Sequence, residues 1–150
     1  MTFGLRLLYL ALCLSSVPAL AAECFDEMPG ELGIRFDTPE RTKITELLVN
    51  DSGEKAFVAT EYLGSANLQA SIYLLRNKKF CLAGDLGAAV AFKSDPKAKS
   101  ESYFSVVVES KSGSDKFYRT FKYQGGSYVL NGCQVRPNGV RLRECKVSER

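Results

Sequence analysis

Phe117-Tyr118-Arg119-Thr120-Phe121-Lys122-Tyr123-Gln124-Gly125-Gly126-Ser127-Tyr128 is the stretch whose reading decides the fold. Phe117, Arg119, Phe121 and Tyr123 fall on one face of an extended chain and Tyr118, Thr120 and Lys122 on the other, the period of two that marks a strand. Gln124-Gly125-Gly126-Ser127 then supplies hairpin turn chemistry. Working outward, Phe104, Val106 and Val108 alternate with Tyr103, Ser105 and Glu109. Further upstream, Leu68, Ala70, Ile72 and Leu74 alternate with Asn67, Gln69, Ser71 and Tyr73. Ser112-Gly113-Ser114-Asp115 and Pro137-Asn138-Gly139 are further turns. Short alternating strands joined by tight turns predict an all-β domain, an antiparallel sandwich or small barrel built from hairpins.

The remaining segments read less sharply. Glu23 to Thr42 is expected to be an N-terminal arm, with turns at Pro29-Gly30 and Asp37-Thr38-Pro39 and a short edge strand at Leu32, Ile34 and Phe36. Ile44 to Val49 fits the end of one short helix begun at Thr38-Pro39-Glu40, or a strand entering the Asn50-Asp51-Ser52-Gly53 turn. The strand is the preferred reading. Gly84-Asp85-Leu86-Gly87 is read as a turn into a strand from Ala88 to Phe92. The hairpin plan of Tyr73 to Cys81 resembles that of Phe121 to Cys133, and coincidence is the preferred explanation at this level of identity.

The first 21 residues have the layout of a secretory signal. Arg6 is followed by an uncharged apolar run from Leu7 to Val17, and Ala19 and Ala21 are the small residues before a cleavage point. The expected mature domain is 22–150, with no membrane insertion once the signal is removed. Cleavage would take Cys13 with it and leave Cys24, Cys81, Cys133 and Cys145, an even set that suits an oxidising compartment. The turn at Arg136-Pro137-Asn138-Gly139 favours Cys133 with Cys145, and Cys24 with Cys81 follows by elimination among three possible connectivities. Without Arg6, the 20 basic side chains become 19 against 17 acidic ones. A balance so close to neutral gives no electrostatic footprint for nucleic acid.

The sequence has no histidine, which removes the commonest general base and most catalytic zinc sites. With its cysteines paired it offers no thiol nucleophile. It also lacks Gly-x-Ser-x-Gly and phosphate-cradling glycine motifs, so neither a catalytic residue nor a cofactor or metal is expected. Asp26, Glu27, Glu31, Asp37 and Glu40 leave open a pair of carboxylates for glycoside hydrolysis, although acids on a turn-rich arm are usually solvated. Asn50-Asp51-Ser52-Gly53-Glu54 lacks the ligand spacing of a calcium loop and reads as a turn.

Binding features are easier to find than catalytic ones. Residues 93–102, with Lys93, Asp95, Lys97 and Lys99, carry no large apolar side chain and read as a long polar loop, either a solvated linker or a segment that a partner recognises. If Phe117, Phe121 and Tyr123 fill the core, Tyr118 points outward beside Thr120 and Lys122, and Tyr103 points outward beside Ser105. Tyrosine near basic side chains is hot-spot composition, although cross-strand pairing explains it as well. Arg136, Arg141, Arg143 and Lys146 form a basic cluster. If Val140 and Leu142 face inward, Arg141 and Arg143 face solvent, where they protect a sheet edge or meet an acidic partner.

The signal, the single-domain length, the paired cysteines and the catalytically bare sheet together resemble the small exported proteins of Gram-negative bacteria that act as periplasmic inhibitors or immunity proteins. The resemblance implies a rigid scaffold that presents a loop or strand edge to a protein partner, a toxin or cell-wall hydrolase, in the periplasm or outside the cell. Two rival classes remain: an envelope-assembly protein with an unprotected strand edge, and a carboxylate-dependent hydrolase.

Overall fold

The computed structural model describes residues 23–28, 42–62 and 67–145. The expected signal at 1–21, the alternation at Leu32, Ile34 and Phe36, and Glu31, Asp37, Glu40 and Lys146 lie outside the described residues. Five strands make the first sheet: β1 (Cys24–Phe25), β2 (Thr42–Leu48), β3 (Lys55–Tyr62), β4 (Leu68–Arg76) and β5 (Lys79–Ala89). The second holds β6 (Ala91–Ser100), β7 (Tyr103–Ser112), β8 (Asp115–Gln124), β9 (Ser127–Arg136) and β10 (Arg143–Glu144). The spatial orders are β1-β5-β4-β3-β2 and β10-β9-β8-β7-β6, every pairing antiparallel. The sheets are not closed into a barrel, so of the two predicted all-β forms the sandwich is the one adopted. Among the described residues there is no α-helix, only a 3₁₀ turn at Pro137–Gly139, and no helix is long and apolar enough to cross a membrane.

The alternation that predicted the strands also builds the core. Val58, Ala70, Ile72 and Leu74 from the first sheet meet Val106, Val108, Phe121 and Tyr123 from the second, all buried. The segment after Ile44 is strand, as preferred, and belongs to β2. Tight turns close the hairpins. Asn77 and Lys78, and Glu101 and Ser102, take positive φ without a glycine among them, while Gly125 and Gly126 do so at the β8–β9 turn. Positive φ at both central residues gives the turn a twist that matches the flanking strands.

Gly84-Asp85-Leu86-Gly87 is not a turn. It lies within β5, where the register with β4 slips twice. Asp85 Oδ1 accepts the backbone N–H of Gly87 at 2.7 Å and the side-chain amide of Gln69 at 2.9 Å, so a turn-forming sequence has been absorbed into a bulged strand. The strand expected from Ala88 to Phe92 is instead broken at Val90, where the chain passes from one sheet to the other.

Both disulfides form as expected, Cys24–Cys81 and Cys133–Cys145. Each ties a two-residue strand to the outer side of a four-strand meander, β1 to β5 and β10 to β9. The hairpin resemblance noted in the sequence therefore extends to the plan of both sheets.

The faces turned away from the core differ. On the first sheet Phe25, Met28, Ile44, Phe57, Tyr73, Phe80 and Leu82 make a second apolar cluster, in which Ala59 and Tyr73 are fully buried. Tyr73, read from the alternation as a half-exposed partner of Ile72, thus belongs to a cluster of its own. The second sheet's outer face is polar, and it holds the candidate site.

Candidate functional site

Cross-strand register sets out that face row by row. Lys93 on β6 stands opposite Val107 on β7, which stands opposite Thr120 on β8. One row along are Ala91, Glu109, Tyr118 and Gln134, and beyond them Lys111, Lys116 and Arg136. On β6 the register jumps from Asp95 to Lys99, so Pro96, Lys97 and Ala98 have no partners on β7 and form a bulge. Asp95 Oδ1 fixes the bulge by accepting the Lys97 backbone N–H at 3.1 Å, a local turn of the kind aspartate favours.

The bulge on one side and Leu142 on the other wall a groove of about 580 Å³ over this face, with Val107, Tyr118, Thr120, Gln134 and Arg136 among its lining. A smaller hollow of about 150 Å³ shares Lys93, Val107 and Tyr118 with it. Another of about 490 Å³ shares Thr120 and Gln134 and continues to Lys122, Asn131 and Glu144. The three form one furrow across the sheet with Tyr118 in its floor. The Arg136 guanidinium lies over the Tyr118 ring, 5.9 Å from its centroid. Lys116 is paired with Glu109 at 3.0 Å.

Of the residues singled out from the sequence, Lys93, Asp95, Lys97 and Tyr118 meet in this groove. The segment that carries three of them is a strand and not the expected loop: β6 runs to Ser100 and closes a hairpin through Glu101 and Ser102. It lacks large apolar side chains because it is the sheet's edge strand. Lysine, proline and a bulge are what edge strands use to avoid pairing with other chains.

Lys99 stands apart, paired with Asp51 and lying 5.4 Å from the Phe104 ring centre. Arg141 and Arg143 are exposed beside Leu142. Val140 and Leu142 do not face inward as supposed; they are 57% and 38% exposed, since the C-terminal segment rejoins β9 only from Arg143 to Cys145. Val107, Gln134 and Leu142 were not legible as site residues. Their places follow from register and from the path after the 3₁₀ turn, which alternation within one strand does not reveal.

Tyr103 is the other correction. It does not point outward: its ring stacks on Tyr123 with centroids 4.1 Å apart, and Ser105 beside it is fully buried. Tyr123 in turn meets Tyr128 edge-on at 5.3 Å. Tyr103 donates to Glu54 at 2.9 Å, the Asn50 side-chain amide donates to the same carboxylate oxygen at 2.8 Å, and Arg76 bonds the Tyr123 hydroxyl. Ring stacking and a charge-assisted bond hold Tyr103 better than solvent would. Burial pushes its hydroxyl up to about 12, helped by the Glu54 carboxylate, and burial raises Tyr128 as well. The arrangement closes one end of the sandwich. The Asn50–Glu54 segment is the expected turn, with the Asn50 side chain engaged at both its oxygen and its nitrogen.

Arg119 points into the sandwich from β8, bonded to the Ala88 carbonyl beside Gly87. Desolvation lowers its affinity for the proton, an effect offset in part by Asp85. Asp26 is exposed and paired with Lys79 at 3.1 Å, and Glu27 is exposed. Among the described residues no cluster of histidine, cysteine and carboxylate side chains is arranged to hold a metal ion. No family model matches the chain, and no curated protein or solved structure matches it either.

Proposed function

We propose that this chain is an exported binding protein, periplasmic or secreted, that inhibits or neutralises a protein partner such as a toxin or cell-wall hydrolase without catalysing a reaction. The observation that carries the reading is the furrow on the second sheet, where Lys93, Asp95, Lys97 and Tyr118 converge. A floor tyrosine with basic side chains around it has hot-spot composition. Its supports are rigid: strand backbone beneath, and disulfides on the last strand of each meander. The two disulfides are compatible with an oxidising compartment.

The test is affinity capture from periplasmic extract and culture medium with the oxidised protein, alongside a Lys93→Ala, Lys97→Ala, Tyr118→Ala variant. A toxin or hydrolase retained in stoichiometric amount, inhibited on binding and released by the triple substitution supports the reading. A partner that the variant retains equally well removes this face from the function.

One observation favours a second reading, an assembly protein. β2 is the outermost strand of its sheet among the described residues, carries no proline and runs in unbroken register with β3. Long regular outermost strands are the ones that recruit further strands. Concentration-dependent self-association abolished by Thr45→Pro would place that reading first.

A further inference from the structure

We propose that the furrow on the second sheet recognises an extended acidic segment of its protein partner, with Arg136 as the principal carboxylate receptor. This rests on the furrow being the binding face, and it adds the chemistry of what enters.

Charge around the floor is the first argument. Lys93 and Lys97 on the bulge side and Arg136 on the β9 side surround the central hollow, and among the described residues none of the three has a carboxylate partner. The one carboxylate in that hollow, Asp95, is engaged by the backbone of its own bulge. The register also sets Lys111, Lys116 and Arg136 directly opposite one another across three strands. Like charges so placed repel. Glu109 is paired with Lys116; Asp95 and Glu144 then stand against Lys93, Lys97, Lys111, Lys122 and Arg136, so the face keeps a net positive field that a bound anion would relieve.

The Arg136–Tyr118 pair selects among anions. The Arg136 guanidinium lies at the limit of cation–π range of the Tyr118 ring, 5.9 Å from its centroid, and its planar fork matches a carboxylate. The proposed partner is a protein, so the anion is a peptide carboxylate, and an acidic glycan is the competing outcome of the test. From Tyr118 to Lys122 the furrow spans five residues of β8, four steps or about 13 Å at strand rise, so an extended peptide of about four to five residues lies along it and a hexapeptide covers it with a residue to spare.

The experiment is fluorescence anisotropy of a labelled hexaglutamate peptide with the oxidised protein at low salt, with hexaglutamine as the neutral control and a galacturonate oligosaccharide as competitor. Hexaglutamate should bind, hexaglutamine should not, and affinity should fall as salt rises. Arg136→Gln should weaken binding at least tenfold, and Arg136→Lys nearly as much, because lysine supplies charge without the fork. Lys93→Glu with Lys97→Glu changes exposed side chains that the fold does not need; it should abolish hexaglutamate binding and admit hexalysine. Equal binding of both glutamine and glutamate peptides, indifference to Arg136, or displacement by the oligosaccharide at lower concentration than by free hexaglutamate would each overturn the proposal. If a captured partner is released by the Tyr118 variant yet hexaglutamate neither binds nor competes, the acidic-segment inference fails while the protein-binding reading stands.

Discussion

Replacing Gly84 with alanine tests how the two sheets meet. A Cβ at Gly84 would lie 2.8 Å from the Tyr128 carbonyl oxygen and 3.2 Å from the Tyr128 Cβ. Neither atom is the end of a flexible side chain; one is β9 backbone and the other is fixed to it, so β5 and β9 would have to separate. Overpacking of this kind costs about 1–3 kcal/mol, and removing glycine's freedom from the unfolded chain returns about 0.4–1 kcal/mol. The net loss is about 1–2 kcal/mol. With a urea slope of about 2 kcal/mol/M the unfolding midpoint should drop by about 0.5–1 M. Gly132 on β9 is the control, since a Cβ there has nothing within 4 Å. Gly132→Ala should leave the midpoint unchanged or raise it slightly. If Gly84→Ala unfolds at the same urea concentration as Gly132→Ala, the backbone contact between β5 and β9 is not there.

Other perturbations follow from the same packing. Replacing Cys133 and Cys145 with serine opens a loop closed over a sequence separation of 12 and should cost about 3 kcal/mol, against about 4 kcal/mol for Cys24 and Cys81 at a separation of 57. Only the second pair should also increase binding of a hydrophobic dye at unchanged strand content, because it frees Phe25 and Met28 from the outer apolar cluster; equal dye binding by both variants would contradict that assignment. Gly87 has a φ of +64° and a Cβ there would lie 2.8 Å from Arg119 Nη1, so Gly87→Ala should destabilise more in the wild type than in an Arg119→Ala background, as a double-mutant cycle in urea would read. Because the Tyr103 hydroxyl is raised to about 12, the folded state holds that proton more tightly than the unfolded chain. Stability should therefore be constant below about pH 10 and fall as pH rises from there through about 12. Tyr103→Phe should make the decline shallower, and urea midpoints flat to about pH 11 would refute the burial of that hydroxyl.

Strand existence was legible because alternation is a local signal. Val106, Val108, Phe121 and Tyr123 are in the core as their spacing said, while Phe117, expected with them, is only half-buried near the start of β8, and the turn at Pro137–Gly139 brought Cys133 and Cys145 together. The errors arise where a residue's surroundings are not local. The part of β6 from Lys93 to Ser100 was read as a loop because an edge strand over a polar face needs almost no apolar side chains. Gly84 to Gly87 was read as a turn because bulges use turn residues. Tyr103 has the parity of an outward residue, and its place on Tyr123 depends on a partner 20 positions away in sequence. The site was half legible for the same reason. Tyr118 and the lysines of β6 could be named, but only register brings Gln134 and Arg136 beside them.

The two sheets share one plan, a four-strand meander with a two-residue strand tied by a disulfide to its last member, and that likeness helps to locate the site. Each sheet must do something with the face it turns away from the core. The first makes its face apolar and lays Phe25 and Met28 across it. Its alternation is consequently blurred, with Ala56-Phe57-Val58-Ala59 apolar on both sides. The second keeps its face polar, and its inner face can be read cleanly from Phe104 to Tyr123. A polar face needs no cover for stability, so the devices found on it call for another cause. The bulge on β6 guards an edge, but the guanidinium beside Tyr118 and the row of opposed cations are required neither by burial of the core nor by protection of an edge. Repulsion along that row is tolerated within a fold whose margin is a few kcal/mol. A face that keeps unneutralised charge in ordered positions, on a strand otherwise guarded against pairing, is one on which a ligand is expected to act.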